Sequence, residues 1–241
     1  LNKYGVVKKG DVGQKMVIQS DQYPSGYITN INYLTKKFES YYSSSDLLII
    51  EAGDTSRIEA IDNLLTTDKF RLAKEKAIKR TDKLLGIILD RINLTTDYLC
   101  ALTPTPAKEA YRNGENLTLA TLVGPNIKQG LLTSATTRRL GLITNLDIAP
   151  TIYQSLTTNK INFTGGNIYS TKSNKSINYL TNLSEKVKKT FAWRPLVVKG
   201  FILLQIIDIQ NDEQIFLRIE IYLLKFYEML ETYYLYSIYL A

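Results

Sequence analysis

Histidine is missing altogether from this chain. With it go the commonest general base near neutral pH and the commonest imidazole ligand for metals. Cysteine is reduced to Cys100, which excludes an internal disulfide and any zinc site built on paired thiolates. Tightly bound zinc is therefore not expected. Long apolar runs are lacking too. The longest, Leu196 to Ile209, is interrupted by Lys199 and Asp208, and a membrane span needs about 20 apolar residues. Leu1 to Gly10 has no apolar stretch and does not read as a secretory signal. The expectation is a chain trimmed at its start or lying inside a longer reading frame.

What is present is the balance of a folded protein: 44% hydrophobic and 22% charged residues over 241 positions. That length holds one sizeable α/β domain with an appendage, or two small domains. The net charge of +7 favours anionic neighbours such as membranes, nucleic acids or phosphorylated ligands. No Lys/Arg block interleaved with aromatics reads as a groove-binding stripe, so no nucleic-acid partner is expected. The abundance of Asn, Ile, Lys and Tyr reads as coding bias in an AT-rich genome.

Patterning along the chain divides it into four parts. Residues 1–45 read as an irregular lead-in, with a short apolar run at Met16 to Ile18, turn chemistry at Tyr23 to Tyr27 and a short helix over Ile31 to Phe38. Residues 46–156 read as an α/β core. Asp46 to Glu51 is a continuous apolar run suited to a buried parallel strand. Asp68 to Ile92 then carries apolar residues at helical spacing, including Leu72, Ala73, Ala77, Leu84, Leu85 and Ile88. Asp97 to Leu102 and Leu117 to Val123 follow as strands, the first stopped by Pro104 and Pro106. Arg138 to Ile143 reads as one more short strand, and Thr144 or Asn145 caps a helix to about Leu156. Residues 157–190 have linker composition, and 191–241 read as a helical, membrane-proximal tail. The expected fold class is α/β, a mostly parallel sheet with covering helices followed by that tail.

Three segments, in order, carry a resemblance. Leu142 to Ile152 reads Leu-Ile-Thr-Asn-Leu-Asp-Ile-Ala-Pro-Thr-Ile, Leu119 to Gly130 ends in a Gly-Pro-Asn-Ile-Lys-Gln-Gly turn, and Lys79 to Leu89 contains Asp82 and Gly86 in a leucine-rich helix. Together they resemble the C-terminal half of an alkaline-phosphatase-superfamily domain. Leu48 to Arg57, with Glu51, Gly53, Asp54 and Arg57, is similar to a stretch in bacterial membrane proteins that carry a phosphatase-like domain. The resemblance implies an α/β fold, a membrane-embedded region after the domain and a metal-dependent ester hydrolase as ancestor. It also implies that Trp193-Arg194-Pro195 to Ile207 begins that embedded region. The departures bear on activity. Active members place Ser-Asp-His after the strand that here ends near Leu102, whereas this chain has Thr103-Pro104-Thr105-Pro106. A second histidine usually precedes the helix at Asp147, where Ser134 to Arg139 stand. The first metal-binding Asp and the Ser/Thr nucleophile would lie before Asp46.

The candidate residues are few. Glu51, Asp54 and Arg57 sit after a predicted strand, where α/β ligand sites gather, and would form a residual site with the carboxylates on Mg²⁺ or Mn²⁺ and Arg57 on an anion. The plainer alternative is an Asp turn beside a surface arginine. Arg138 and Arg139 would clamp a phosphate at the next helix N-terminus, or else be solvated. Ser20-Asp21 is more economically a turn than a nucleophile, there being no base beside it. Cys100 is expected to be buried as a small hydrophobe, and Asp147 to favour its helix start. Lys186, Lys188, Lys189, Trp193 and Arg194 would meet a membrane surface, or form the charged face of a helix. With no resident cofactor expected, the leading functional expectation is a non-catalytic phosphatase-like domain of a membrane-associated bacterial protein. The alternatives are a metal-dependent phosphate or sulfate ester hydrolase completed by further N-terminal residues, and a truncated product without a function of its own.

Overall fold

Turn residues shape the first hairpin. Val17–Gln19 (β1) pairs antiparallel with Tyr27–Thr29 (β2), and the Ser20 N–H donates to the Gly26 carbonyl across the loop at 2.9 Å. Ser20-Asp21 therefore belongs to a hairpin loop. Asn30 follows at once as a helix cap, its side chain accepting from the Tyr33 N–H at 3.1 Å, which satisfies one of the orphan amides of helix α1 (Ile31–Tyr42). Ile31, Leu34 and Phe38 recur at helical spacing and are buried. The stretch expected to be irregular thus holds a hairpin, and the short helix expected over Ile31 to Phe38 is present and runs on to Tyr42. The computed structural model describes residues 10–159, 161–174 and 177–209, and contacts divide the chain at Asn93 into two units.

In the first unit, α2 (Asp54–Ala60) and α1 pack on the long helix α3 (Thr67–Leu89). Ala73, Ala77, Leu84 and Ile88 form the buried stripe of α3, and Ile58 of α2 meets Ala73 and Ala77 with Phe70 beside them. Small alanines at the crossing let the two helices approach closely. The expected helix is present, but Leu72 is 53% exposed and Leu85 half-buried. The reason is that α3 covers two helices and not a sheet, which narrows its buried face to one stripe. Leu84→Ala should accordingly cost about 2 kcal/mol, the low end of the large-to-small range because this core is small. Leu72→Ala should stay within about 0.5 kcal/mol. Urea melts of the two variants check the pair.

The strand expected at Asp46 to Glu51 does not form. Residues 47–52 have no ladder partner, and Ile49 is 76% exposed. An apolar run has the propensity for a strand, but without a neighbour to accept its hydrogen bonds it remains unpaired chain. Among the described residues every paired strand is antiparallel, in three two-stranded sheets. The fold is mixed α/β, and the parallel pairing expected between Asp46–Glu51 and Asp97–Leu102 is not seen.

In the second unit, Leu99–Leu102 (β3) pairs antiparallel with Ala120–Val123 (β4), placing Cys100 opposite Leu122. Between them stands the short helix α4 (Lys108–Arg112). Cys100 is exposed, contrary to the expected burial. Leu131–Ser134 (β5) pairs antiparallel with Ile168–Thr171 (β6). The strand expected at Arg138 to Ile143 is instead a turn: Arg138 adopts φ 51° and Gly141 φ 80°, left-handed conformations that bend the chain away from any ladder. Helix α5 (Ile148–Leu156) follows a 3₁₀ turn at Asn145–Asp147. The stretch read as a linker contains β6 and the start of helix α6 (Ile177–Ile209). Its Asn/Thr/Ser composition hid two anchoring apolar residues, Ile168 and Leu183, both buried. Phe191 of α6 lies against Gly114, whose backbone has φ 76° and where a Cβ would run into the phenyl ring.

Candidate functional site

Asp54 begins α2 and is 4% exposed. Its Oδ1 accepts from the Thr29 N–H at 2.6 Å and from Arg57 Nη2 at 2.5 Å. Its Oδ2 accepts from Arg80 Nε at 2.9 Å. The same two guanidiniums reach on to β2: Arg57 Nη2 donates to Thr29 Oγ1 at 2.7 Å and Arg80 Nη2 to the Thr29 carbonyl at 2.5 Å. The Arg80 guanidinium also lies over the Tyr23 ring at 5.7 Å. Burial, the largest single influence, pushes the Asp54 carboxyl up, yet the Thr29 N–H, Arg57 and Arg80 together hold it below the usual carboxylate range. The geometry is a charge-assisted knot tying β2, α2 and α3.

Of the three residues expected to form a ligand site, the structure brings Asp54 and Arg57 together and leaves Glu51 exposed outside the cluster. Both Asp54 oxygens are engaged by cations of the chain itself, so a metal ion there would have to displace a guanidinium. Among the described residues no group of three or more Cys, Asp or Glu side chains is placed to share a metal ion. Sequence reasoning missed Thr29 and Arg80. Arg80 had a visible signal, since it falls in phase with Ala73, Ala77 and Leu84 and so lies on the buried stripe of α3. Thr29 had none, because it acts through its backbone N–H and carbonyl and a single hydroxyl, which leave no pattern in the sequence.

The second buried carboxylate is Asp147, 0% exposed. Its Oδ1 accepts from Thr136 Oγ1 at 2.5 Å and the Gly166 N–H at 3.0 Å, and its Oδ2 from the Thr144 N–H at 2.8 Å. Burial again acts most strongly and upward, but the donors led by Thr136 and Thr144, with Ser134 and Gly166, hold its carboxyl below the ordinary range. The Asp147 carbonyl accepts from Thr151 Oγ1, which in turn accepts from the Ile168 N–H on β6 at 2.8 Å. Asp147 thus stitches the start of α5 to the turn after β5 and to the glycines before β6. Gly165 is required in this seam, because a Cβ there would collide with the Leu146 carbonyl.

Arg138 and Arg139 occupy the turn after β5, Arg138 exposed and Arg139 half-buried. The Arg138 N–H donates to the Ser134 carbonyl at 2.9 Å, and the Arg139 carbonyl accepts from Thr133 Oγ1 at 2.8 Å. The Thr144 N–H at the start of the following helical turn already donates to the Asp147 carboxylate, so a phosphate there would meet a negative charge. Elsewhere Asp11 accepts from the Tyr33 hydroxyl at 2.5 Å, which raises the phenol and keeps it protonated. It offers no nucleophile. In the basic patch, Lys186 and Lys189 are exposed, whereas Lys188 is tied to Glu115 at 2.5 Å. Trp193 is 63% exposed and Arg194 exposed.

Comparison with protein-family models, with curated proteins and with solved structures finds no match to this chain.

Proposed function

We propose that this chain is a non-catalytic, phosphatase-like domain of a membrane-associated bacterial protein. The observation that carries the reading is the state of Asp54: the carboxylate best placed to hold a metal is neutralised by Arg57 and Arg80. A chain without histidine has no imidazole to assemble the rest of a two-metal site. The phosphatase-like part of the proposal stands on the resemblance of Leu48–Arg57, Lys79–Leu89, Leu119–Gly130 and Leu142–Ile152. Membrane association is supported by α6, where Lys186 and Lys189 precede a run of exposed apolar residues.

Activity measurement tests the proposal. Purified chain with Mg²⁺ or Mn²⁺ should turn over neither an activated aryl phosphate nor an aryl sulfate at rates approaching the usual enzymatic range of about 1–10³ per second. Turnover in that range that is abolished by Asp54→Asn would overturn the non-catalytic reading. Turnover indifferent to that substitution would mark a contaminant and leave the reading standing.

A further inference from the structure

Helix α6 changes character at Phe191. Up to that point it is held to its unit: Leu183 is buried, Tyr179 donates to the Leu140 carbonyl at 3.3 Å, Lys188 pairs with Glu115, and Phe191 fills the space above Gly114. Beyond it, among the described residues, the support ends. Trp193, Leu196, Val198, Phe201, Ile202, Leu203, Leu204 and Ile206 are all exposed. At 100° per residue these positions fall on every side of the helix, with Val198 and Ile202 roughly opposite Trp193 and Leu204. An amphipathic helix lying on a surface keeps a polar face, and a helix apolar all round needs apolar surroundings on all sides. Pro195 stands inside the helix near the change of character, where its missing N–H leaves the Phe191 carbonyl without its helical donor and favours a bend.

The charges beside this segment select its surroundings. From Lys186 to Ile207 the sequence holds Lys186, Lys188, Lys189, Arg194 and Lys199 and no acidic residue. A second copy of the helix, laid parallel, would bring like charges together, whereas an anionic bilayer would attract them. Trp193 stands between the basic and apolar stretches, the usual station of tryptophan at a membrane interface. From Trp193 to Ile206 the helix measures about 20 Å at a rise of 1.5 Å per residue, against roughly 30 Å of bilayer hydrocarbon. No helix among the described residues is long and apolar enough to cross a membrane.

We infer that Trp193 to Ile206 inserts into bilayers rich in anionic lipid, with Lys186 and Lys189 on the headgroups and Trp193 at the interface. The inference deepens the membrane-association reading proposed above and rests on it. Lys199 reaches back to the headgroups along its aliphatic stem.

Trp193 is the only tryptophan in the chain, so its fluorescence reports this segment directly. The full chain is mixed with phosphatidylcholine vesicles and with phosphatidylcholine/phosphatidylglycerol vesicles, and emission and co-sedimentation are read together. The expected result is a blue shift with the anionic vesicles alone, quenched by lipids brominated along the acyl chain. Lys186→Gln and Lys189→Gln, both at exposed positions, should each weaken binding about five-fold. Sedimentation with vesicles and no change at Trp193 would overturn the insertion while leaving membrane association intact. Neither sedimentation nor a shift would overturn both. An equal shift on neutral vesicles would overturn the anionic selection, and a concentration-dependent shift without lipid would make a second copy the occupant.

Discussion

Asp54→Ala should lose about 3–4 kcal/mol of stability, because it strands two partly buried guanidiniums and the Thr29 N–H at once. That loss is a large share of the 5–15 kcal/mol by which domains are usually stable. Single removals on the other side of the knot should cost less. Arg57 and Arg80 keep 28% and 22% side-chain exposure, so water partly screens their pairing with Asp54. Arg80→Met should be the costlier of the two, since Arg80 also holds the Thr29 carbonyl and stacks on Tyr23. Asp54→Ala combined with Arg80→Met should be less destabilising than the sum of the single changes, because the second removes a charge that the first left alone. Urea melts followed by far-ultraviolet circular dichroism measure the losses, and hydrogen exchange at α3 amides locates them. Were Asp54→Ala as stable as the parent, the carboxylate would be spending its interactions on overcoming its own desolvation, and a role for Asp54 outside folding would regain ground.

The same knot shows what could be read from the chain and what could not. Asp54 and Arg57 stood out because a small-residue turn after an apolar run marks a place where side chains converge. Their tie to Arg80 was not legible, because Arg80 lies 26 residues downstream on a helix whose stripe was credited to apolar residues alone. Local signals fared well wherever the stabilising contact is itself local. The start of α5 and the acid at Asp147 follow from capping chemistry within four residues, and α3 ends within a few residues of its periodic pattern. Strand pairing fared worst. Leu47 to Ile50 and Leu99 to Leu102 have similar composition, but only the second has a neighbour, Ala120–Val123, to complete its ladder. Composition also misled where polar residues do structural work. The stretch read as a linker supplies Gly166 to the Asp147 carboxylate and β6 to β5.

Asp147 should make the second unit sensitive to acid. Its native carboxyl lies below the ordinary value because Thr136, Thr144, Ser134 and Gly166 direct donors at the ionised form, outweighing burial. An unfolded chain protonates the same group near pH 3.9. In the window below that value the unfolded state therefore binds more protons than the native one, and stability falls as the pH falls. The contribution is complete above about pH 4 and is lost once the pH drops through the depressed native value. Asp147→Ala removes it at every pH and leaves the Thr144 and Gly166 N–H groups and the Thr136 hydroxyl without their acceptor. With each buried donor left unsatisfied costing about 1–3 kcal/mol, a loss of about 3 kcal/mol or more at neutral pH is expected. Asp147→Asn separates shape from charge. It retains one acceptor oxygen but turns an amide NH₂ toward N–H donors, so a smaller loss of about 2 kcal/mol is expected. Urea midpoints taken from pH 7 down to pH 3 check both. The Asn variant should show a shallower decline through the acid window than the parent. Parallel declines in the two proteins would assign the acid sensitivity to other carboxylates, Asp54 first among them.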